Sequence, residues 1–282
     1  MVLQSDSTIA PMFYTLRSND YTYAINNINS HLLFEMEEKI NLPGNVDSYL
    51  NIDSFKFTNA FYIVNEYNNV FQFGLASGGY SPISINIQQK NYTISSLVSY
   101  LNANVGNGFS FTYDDALYKI TISNSQEFKI FAVANNILKV IGFSNTLHES
   151  TANTLISNQV VNLSGIQMIY IEIVNLSYNS YSVKNSTSQN KNAILAIPIS
   201  SIQGDTQVYH SNQTWHKILD KSYNVLQIRI TDENDNEINF NGTEWFINLQ
   251  FIFSYQKEFI KSRDLIDMEE NKEQKQEGTN KK

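Results

Sequence analysis

The sequence predicts an all-β protein: a two-layered β-sandwich with two short helices in its connections, an N-terminal arm and a charged C-terminal tail. Three observations predict it. Short apolar runs with a period of two recur along the chain, the mark of strands with one face buried. Turn-forming residues separate these runs at close intervals. Two short helical stretches interrupt the strands, while Leu32–Ile40 fits a short helix or a strand and Phe259–Met268 fits a helix formed on a partner.

The clearest strand signal is near the end. Leu226, Ile228 and Ile230 alternate with Gln227, Arg229 and Thr231. A polar run from Asp232 to Glu237 follows, then Ile238 and Phe240, the Gly242-Thr243 break, and Trp245, Ile247, Leu249, Phe251 and Phe253. Residues 1–50 have weaker periodicity and read as an arm with a first strand or two. From Asp53 strands dominate: Phe55 and Phe57, then Phe61 and Ile63, then Val70, Phe71 and Phe73 beyond an Asn-rich turn. Ile83, Ile85 and Ile87 alternate with Ser84, Asn86 and Gln88. Thr93 is placed to cap a helix carrying Ile94, Leu97, Val98 and Leu101 on one face. Phe109, Phe111 and Tyr113 pair across the Asp114-Asp115 turn with Tyr118, Ile120 and Ile122, and Phe128 and Ile130 add a strand. A second helix is expected over Ile137–Ile141, stopped by Gly142 in a left-handed C-cap. Strands follow at 167–174, 193–199 and 225–230. The stretches Asn175–Asn192 and Ser201–Lys221 read as long exposed loops. Eight to ten strands in two sheets make a single jelly roll over residues 51–256 the natural architecture. The tail, 257–282, holds seven basic and seven acidic residues, too few apolar groups to fold by itself.

Composition narrows the function. The 282 residues carry a net charge of -8, and only 16% are charged, below the usual quarter. Asn fills the gap at roughly one residue in eight. An AT-rich coding sequence accounts for that bias. An Asn- and Ser-rich face is also cheap to dehydrate, which suits a surface covered by neighbours. The acidic balance argues against nucleic acid as main ligand. The absence of cysteine excludes disulfides and thiolate chemistry. No stretch reaches the length of a membrane span, and no secretory signal is visible at the start. Six N-x-S/T sequons are what this composition supplies by chance.

No catalytic, cofactor or metal constellation emerges. His31, His148, His210 and His216 are scattered, and His210 with His216 lack further ligands. Asp232-x-Asn234-x-Asn236 starts like a calcium loop, but Glu237 and Thr243 stand where Gly and an acid are needed. A turn explains those residues, as it explains Asp114-Asp115. Tyr209 and Trp215, in a polar stretch, are the candidate surface contacts.

The order of elements resembles a viral family. Ile85-Asn86-Ile87, Asn91-Tyr92-Thr93-Ile94, Leu97, Leu101 and Asn102 look like a strand leading into that family's helix. Phe109–Tyr113 and Tyr118–Ile122 follow as a hairpin. Phe128 with Leu138 and Ile141-Gly142-Phe143-Ser144 look like its "L-G-F" helix ending. Ala193–Pro198 with Gly204, then Leu226–Asp232 with Ile238, Phe240, Gly242 and Trp245, complete the series. This is similar to the penton, or minor capsid, proteins of virophages and Polinton-like viruses, over roughly residues 50–256. The resemblance implies a structural, non-enzymatic jelly roll in the virion. It implies homopentamers at the fivefold vertices and contacts to a double-jelly-roll major capsid protein, with no catalytic residues. The tail beyond Tyr255 departs from the pattern. The alternative is a jelly-roll module binding a host receptor or glycan; an enzyme on the same scaffold would need convergent carboxylates or a metal site.

Overall fold

The computed structural model describes residues 8–178, 183–184, 190–211 and 214–255. It opens with β1 (Thr8–Arg17), β2 (Tyr23–Ala24), β3 (His31–Asn41) and β4 (Val46–Thr58). A contiguous middle stretch carries β5 (Val70–Leu75), β6 (Ile83–Asn86), α1 (Ile94–Asn104), β7 (Ser110–Asp114), β8 (Lys119–Ser123), β9 (Phe128–Ile130), β10 (His148–Glu149) and β11 (Thr154–Ile156). Then come β12 (Met168–Ile173), β13 (Val183–Lys184), β14 (Asn190–Lys191), β15 (Leu195–Pro198), β16 (Thr206–His210), β17 (His216–Ile218), β18 (Ser222–Thr231) and β19 (Trp245–Tyr255).

The first and last parts of the chain build one sandwich. One sheet has the order β1-β19-β4-β16, with β17 continuing beside β4; the other has the order β15-β12-β18-β3-β2. All neighbours in these two sheets are antiparallel. Taking β16 and β17 as one interrupted strand, eight main strands divide four and four, and successive strands mostly change sheet. That is the strand order of a jelly roll. The inner faces meet in one core. Trp245, fully buried, stacks edge-on against Phe34 with ring centroids 6.0 Å apart. Its indole N–H donates to the Asn29 carbonyl at 2.7 Å, so the one polar atom of the ring is satisfied inside the core.

Residues 63–163 contribute a second, separate core. Two small sheets, β10-β9-β5-β6 and β11-β8-β7, pack with α1 around Phe71, Phe73, Phe109, Phe111 and Phe128. The stretch lies in the connection between β4 and β12. Helix α1 starts as its sequence predicts: Thr93 Oγ1 accepts the Ser96 N–H at 3.2 Å, and Ser96 Oγ accepts the Thr93 N–H at 2.9 Å. This reciprocal pair satisfies two orphan donors of the first turn.

Three local expectations change. The second helix over Ile137–Ile141 is a single turn, with the Ile141 N–H on the Ile137 carbonyl at 3.2 Å. Gly142 then enters the left-handed region at φ +84, so the stop signal was real but stood too close to the start for a helix to propagate. The stretch 201–221, read as a loop, contains β16 and β17, both paired to β4. Residues 8–50, read as an arm with a first strand or two, supply β1, β2, β3 and the start of β4, spread over both sheets. The tail and parts of the 175–192 loop lie outside the described residues.

Candidate assembly surfaces

The sandwich has two lateral seams, and they differ. On one side the β16 residue Gln207 bridges the sheets. Its amide donates to the Pro198 carbonyl at 2.8 Å, and its side-chain oxygen accepts from the Ser200 and Ser201 backbone at 3.0 and 3.2 Å. That seam is stitched. On the other side β1 and β3 flank an open cleft of about 610 Å³.

The cleft follows from sequence. In β1, Met12, Tyr14 and Leu16 pair with Phe251, Leu249 and Ile247 and point inward; the ring of Tyr14 meets Phe251 edge-on at 5.6 Å. Met12 and Tyr14 remain half-exposed although they face the core. In β3 the register to β18 breaks: Glu35 pairs with Val225 and Ile40 with Tyr223. Four β3 residues therefore stand against one β18 residue, and Met36–Lys39 bow away from the sheet, an extreme bulge. The floor is apolar, with Leu16, Phe34, Met36 and Leu226. The rim is acidic, with Asp20, Glu35, Glu37 and Glu38 against the single cation Arg17. Burial pushes the Tyr14 hydroxyl pKa up, and the negative charges of Glu38 and Glu37 push it further. Among the described residues β1 pairs with β19 alone, and β2 covers β3 only at Leu32 and Leu33. Among the described residues these two strand edges border the cleft without a further strand partner, the Glu35 N–H being taken by Thr22 Oγ1 at 3.0 Å, and such edges are templates for another strand.

A polar knot ties the 232–237 turn to the outer face of the second sheet. Arg229 Nη1 reaches Glu172 at 3.1 Å and Asp235 at 3.0 Å, and its Nε reaches Glu237 at 3.4 Å. Glu237 also accepts from Asn26 at 2.6 Å and meets His31 Nδ1 at 2.9 Å. Burial raises the Glu237 pKa, but the hydrogen bonds of Asn26 and His31, the His31 charge and Arg229 outweigh it and hold the carboxyl below its ordinary value. The Tyr67 hydroxyl donates to the Glu237 carbonyl at 3.3 Å, so this turn also touches the second core's segment.

The residues singled out in sequence do not converge. Asp232 Oδ1 accepts the Asn234 and Asn236 N–H groups at 2.7 and 2.9 Å, the geometry of an Asx-type turn. Asp114 Oδ1 does the same for Ala116 and Leu117. His210 is exposed at the end of β16, whereas His216 is buried in β17. Among the described residues no three His, Asp or Glu side chains group as a metal site, and no helix is long and apolar enough to cross a membrane. Tyr209 sits opposite Phe55, half-buried, its ring packed against the roll core. Trp215 is half-buried just before β17, where His216 stands opposite Leu50. Those two partners are five residue steps apart along β4, about 17 Å of strand, so Tyr209 and Trp215 do not share one platform. Sequence reading passed over the β1–β3 cleft. Its signal was present in the inward series Met12, Tyr14, Leu16 and in the acidic series Glu35, Glu37, Glu38.

No family model matches the chain, and no curated protein does. Among solved structures, the chain is similar to the mavirus penton protein: 10% identity, TM-score 0.42, over 86% of this chain and 99% of that one.

Proposed function

We propose that the chain is a structural vertex protein of an icosahedral capsid, a penton that forms homopentamers at the fivefold positions and contacts a double-jelly-roll major capsid protein. The observation that carries this reading is the strand order. Eight main strands in two interleaved sheets form the architecture widely used in viral shells, and here it accompanies the ordered motif series from Ile85 to Trp245. Fold alone does not fix function, so the surface chemistry matters. The described surface offers edges, a cleft and low charge, which suit broad contacts resting on area and shape. A closed ring needs two different faces per subunit, one meeting the other on the next copy. The two seams are such a pair of unlike faces. In this reading the protein resides in the virion, acts without catalysis, and carries residues 257–282 as a charged C-terminal extension.

Mass photometry and negative-stain imaging of the purified chain test the reading. Fivefold rings are expected, alone or with the major capsid protein. A strict monomer at high concentration under both conditions overturns it.

A further inference from the structure

Resting on that reading, we infer that the β1–β3 cleft receives the segment Lys257–Arg263 of a second copy of this chain, added as an extended strand. The apolar floor and acidic rim define what fits: a short stretch with apolar side chains between basic ones. Lys257-Glu258-Phe259-Ile260-Lys261-Ser262-Arg263 has this character, with three basic residues, one acidic residue and an apolar pair at its centre. Extended, it places Lys257, Phe259, Lys261 and Arg263 on one side. Phe259 would enter over Leu16, Phe34 and Met36, while the basic groups meet Glu35, Glu37 and Glu38. The edge of β1 and the bowed part of β3, which have no further strand partner among the described residues, would supply main-chain hydrogen bonds, as in strand addition generally.

The second copy follows from where β19 ends. Tyr255 lies beside Val46, and Ser254 pairs with Thr8. The chain therefore leaves at the beginning of β1, while the cleft borders Met12 to Arg17. To lie antiparallel on β1, an incoming strand must enter beside Arg17, about 30 Å away along the ten-residue strand. To lie parallel, the chain's own tail must turn over the start of β1 and then run about four residues, ~13 Å, before it reaches Met12, which would consume most of the residues that fit. A neighbour's tail meets neither constraint, and the exchange joins one subunit to the next.

Full-length protein labelled with ¹⁴N is mixed with ¹⁵N protein, treated with a zero-length carbodiimide and read by mass spectrometry. Mixed-isotope peptides joining Lys257 or Lys261 to Glu35, Glu37 or Glu38 are expected. The pair Glu37→Lys with Glu38→Lys should weaken subunit association about tenfold, and adding Lys261→Glu with Arg263→Glu should restore it. Links within single-isotope chains only mean that the chain's own tail occupies the cleft, and overturn the inference. Rings without any tail-to-cleft link overturn it while leaving the vertex reading standing. Absence of both rings and links overturns both.

Discussion

The roll and the middle segment are built by opposite strategies. The roll joins the first strands of the chain to the last: β19, at the end, lies between β1 and β4, from the beginning. Its core cannot close until nearly every residue has been made. The middle segment, 63–163, gathers its core from one contiguous stretch, with hairpins such as β7–β8 and an autonomous helix start. Low sequence separation lowers the loop-closure entropy that must be lost before contacts form. The two cores should therefore respond separately to damage.

The strongest way to break this comparison is Trp245→Ala. The side chain is fully buried between Phe34 and Phe55, and truncating a buried Trp costs about 3–5 kcal/mol. Hydrogen exchange should show β1, β19 and β4 losing protection while β7 and β8 keep theirs. Loss of protection across both cores together would show that they form one cooperative unit. The mirror experiment is Gly142→Ala. At φ +84 an L residue is strained, and its Cβ would stand 2.6 Å from the Gln159 carbonyl oxygen. The backbone must shift, and the expected cost is about 2–4 kcal/mol from left-handed strain plus the clash. Protection should fall at Phe128, Leu138 and Ile141 and hold at Leu249 and Phe251.

How much of this was legible in the sequence depends on the range of the cause. β19 and the second half of β18 stood out because Trp245, Ile247, Leu249, Phe251 and Phe253, and Leu226, Ile228 and Ile230, recur at every second residue. The cap at Thr93 and the left-handed stop at Gly142 were legible because a few adjacent residues decide them. The part of β4 before Asp53 was not, and its residues show why. Val46, Ser48, Leu50 and Ile52 share one parity, but Asp53 is an extra residue opposite the Asn248–Leu249 step, after which Phe55 and Phe57 point inward. The bulge inverts the pattern, and Asp47, Tyr49 and Asn51 are buried on the other face, which erases the polar half of the signal. The division into two cores was hidden for a different reason. Phe57 and Phe71 carry the same local pattern, and only long-range pairing assigns one to the roll and the other to the middle segment. The cleft was hidden because two strands distant in the fold's pairing order, β1 and β3, must be stacked before Tyr14 and Glu38 are neighbours.

A sharper test addresses the joint between the two regions. Arg229 holds Glu172, Asp235 and Glu237 together, with only a fifth of its side chain exposed. Arg229→Met keeps the stem and removes the charge, leaving carboxylates uncompensated. Breaking a fully buried pair costs about 3–5 kcal/mol; with partial exposure about 2–3 kcal/mol is expected here. Chemical denaturation should show the roll's transition moving to lower denaturant. An unchanged midpoint would mean that water compensates these carboxylates already.

The smallest expected effect is also the most specific, because it isolates Glu237 within that knot. Its folded pKa lies below its ordinary value of 4.5. A group depressed on folding contributes stability above its unfolded pKa, and the contribution is lost as pH falls through the folded value. The wild type should therefore lose stability below about pH 4.5 more steeply than Glu237→Gln, which keeps hydrogen bonding but cannot titrate. Urea midpoints for both proteins at pH 7, 5, 4 and 3 measure the difference directly. The gap between the curves should be widest at neutral pH and narrow on acidification, since protonated Glu and Gln then present similar neutral groups to Arg229 and His31. Parallel curves would remove Glu237 from the acid response. Because the Glu237 carbonyl also accepts from Tyr67, the same titration followed by hydrogen exchange at residues 63–70 reports whether loosening the knot frees the middle segment from the roll.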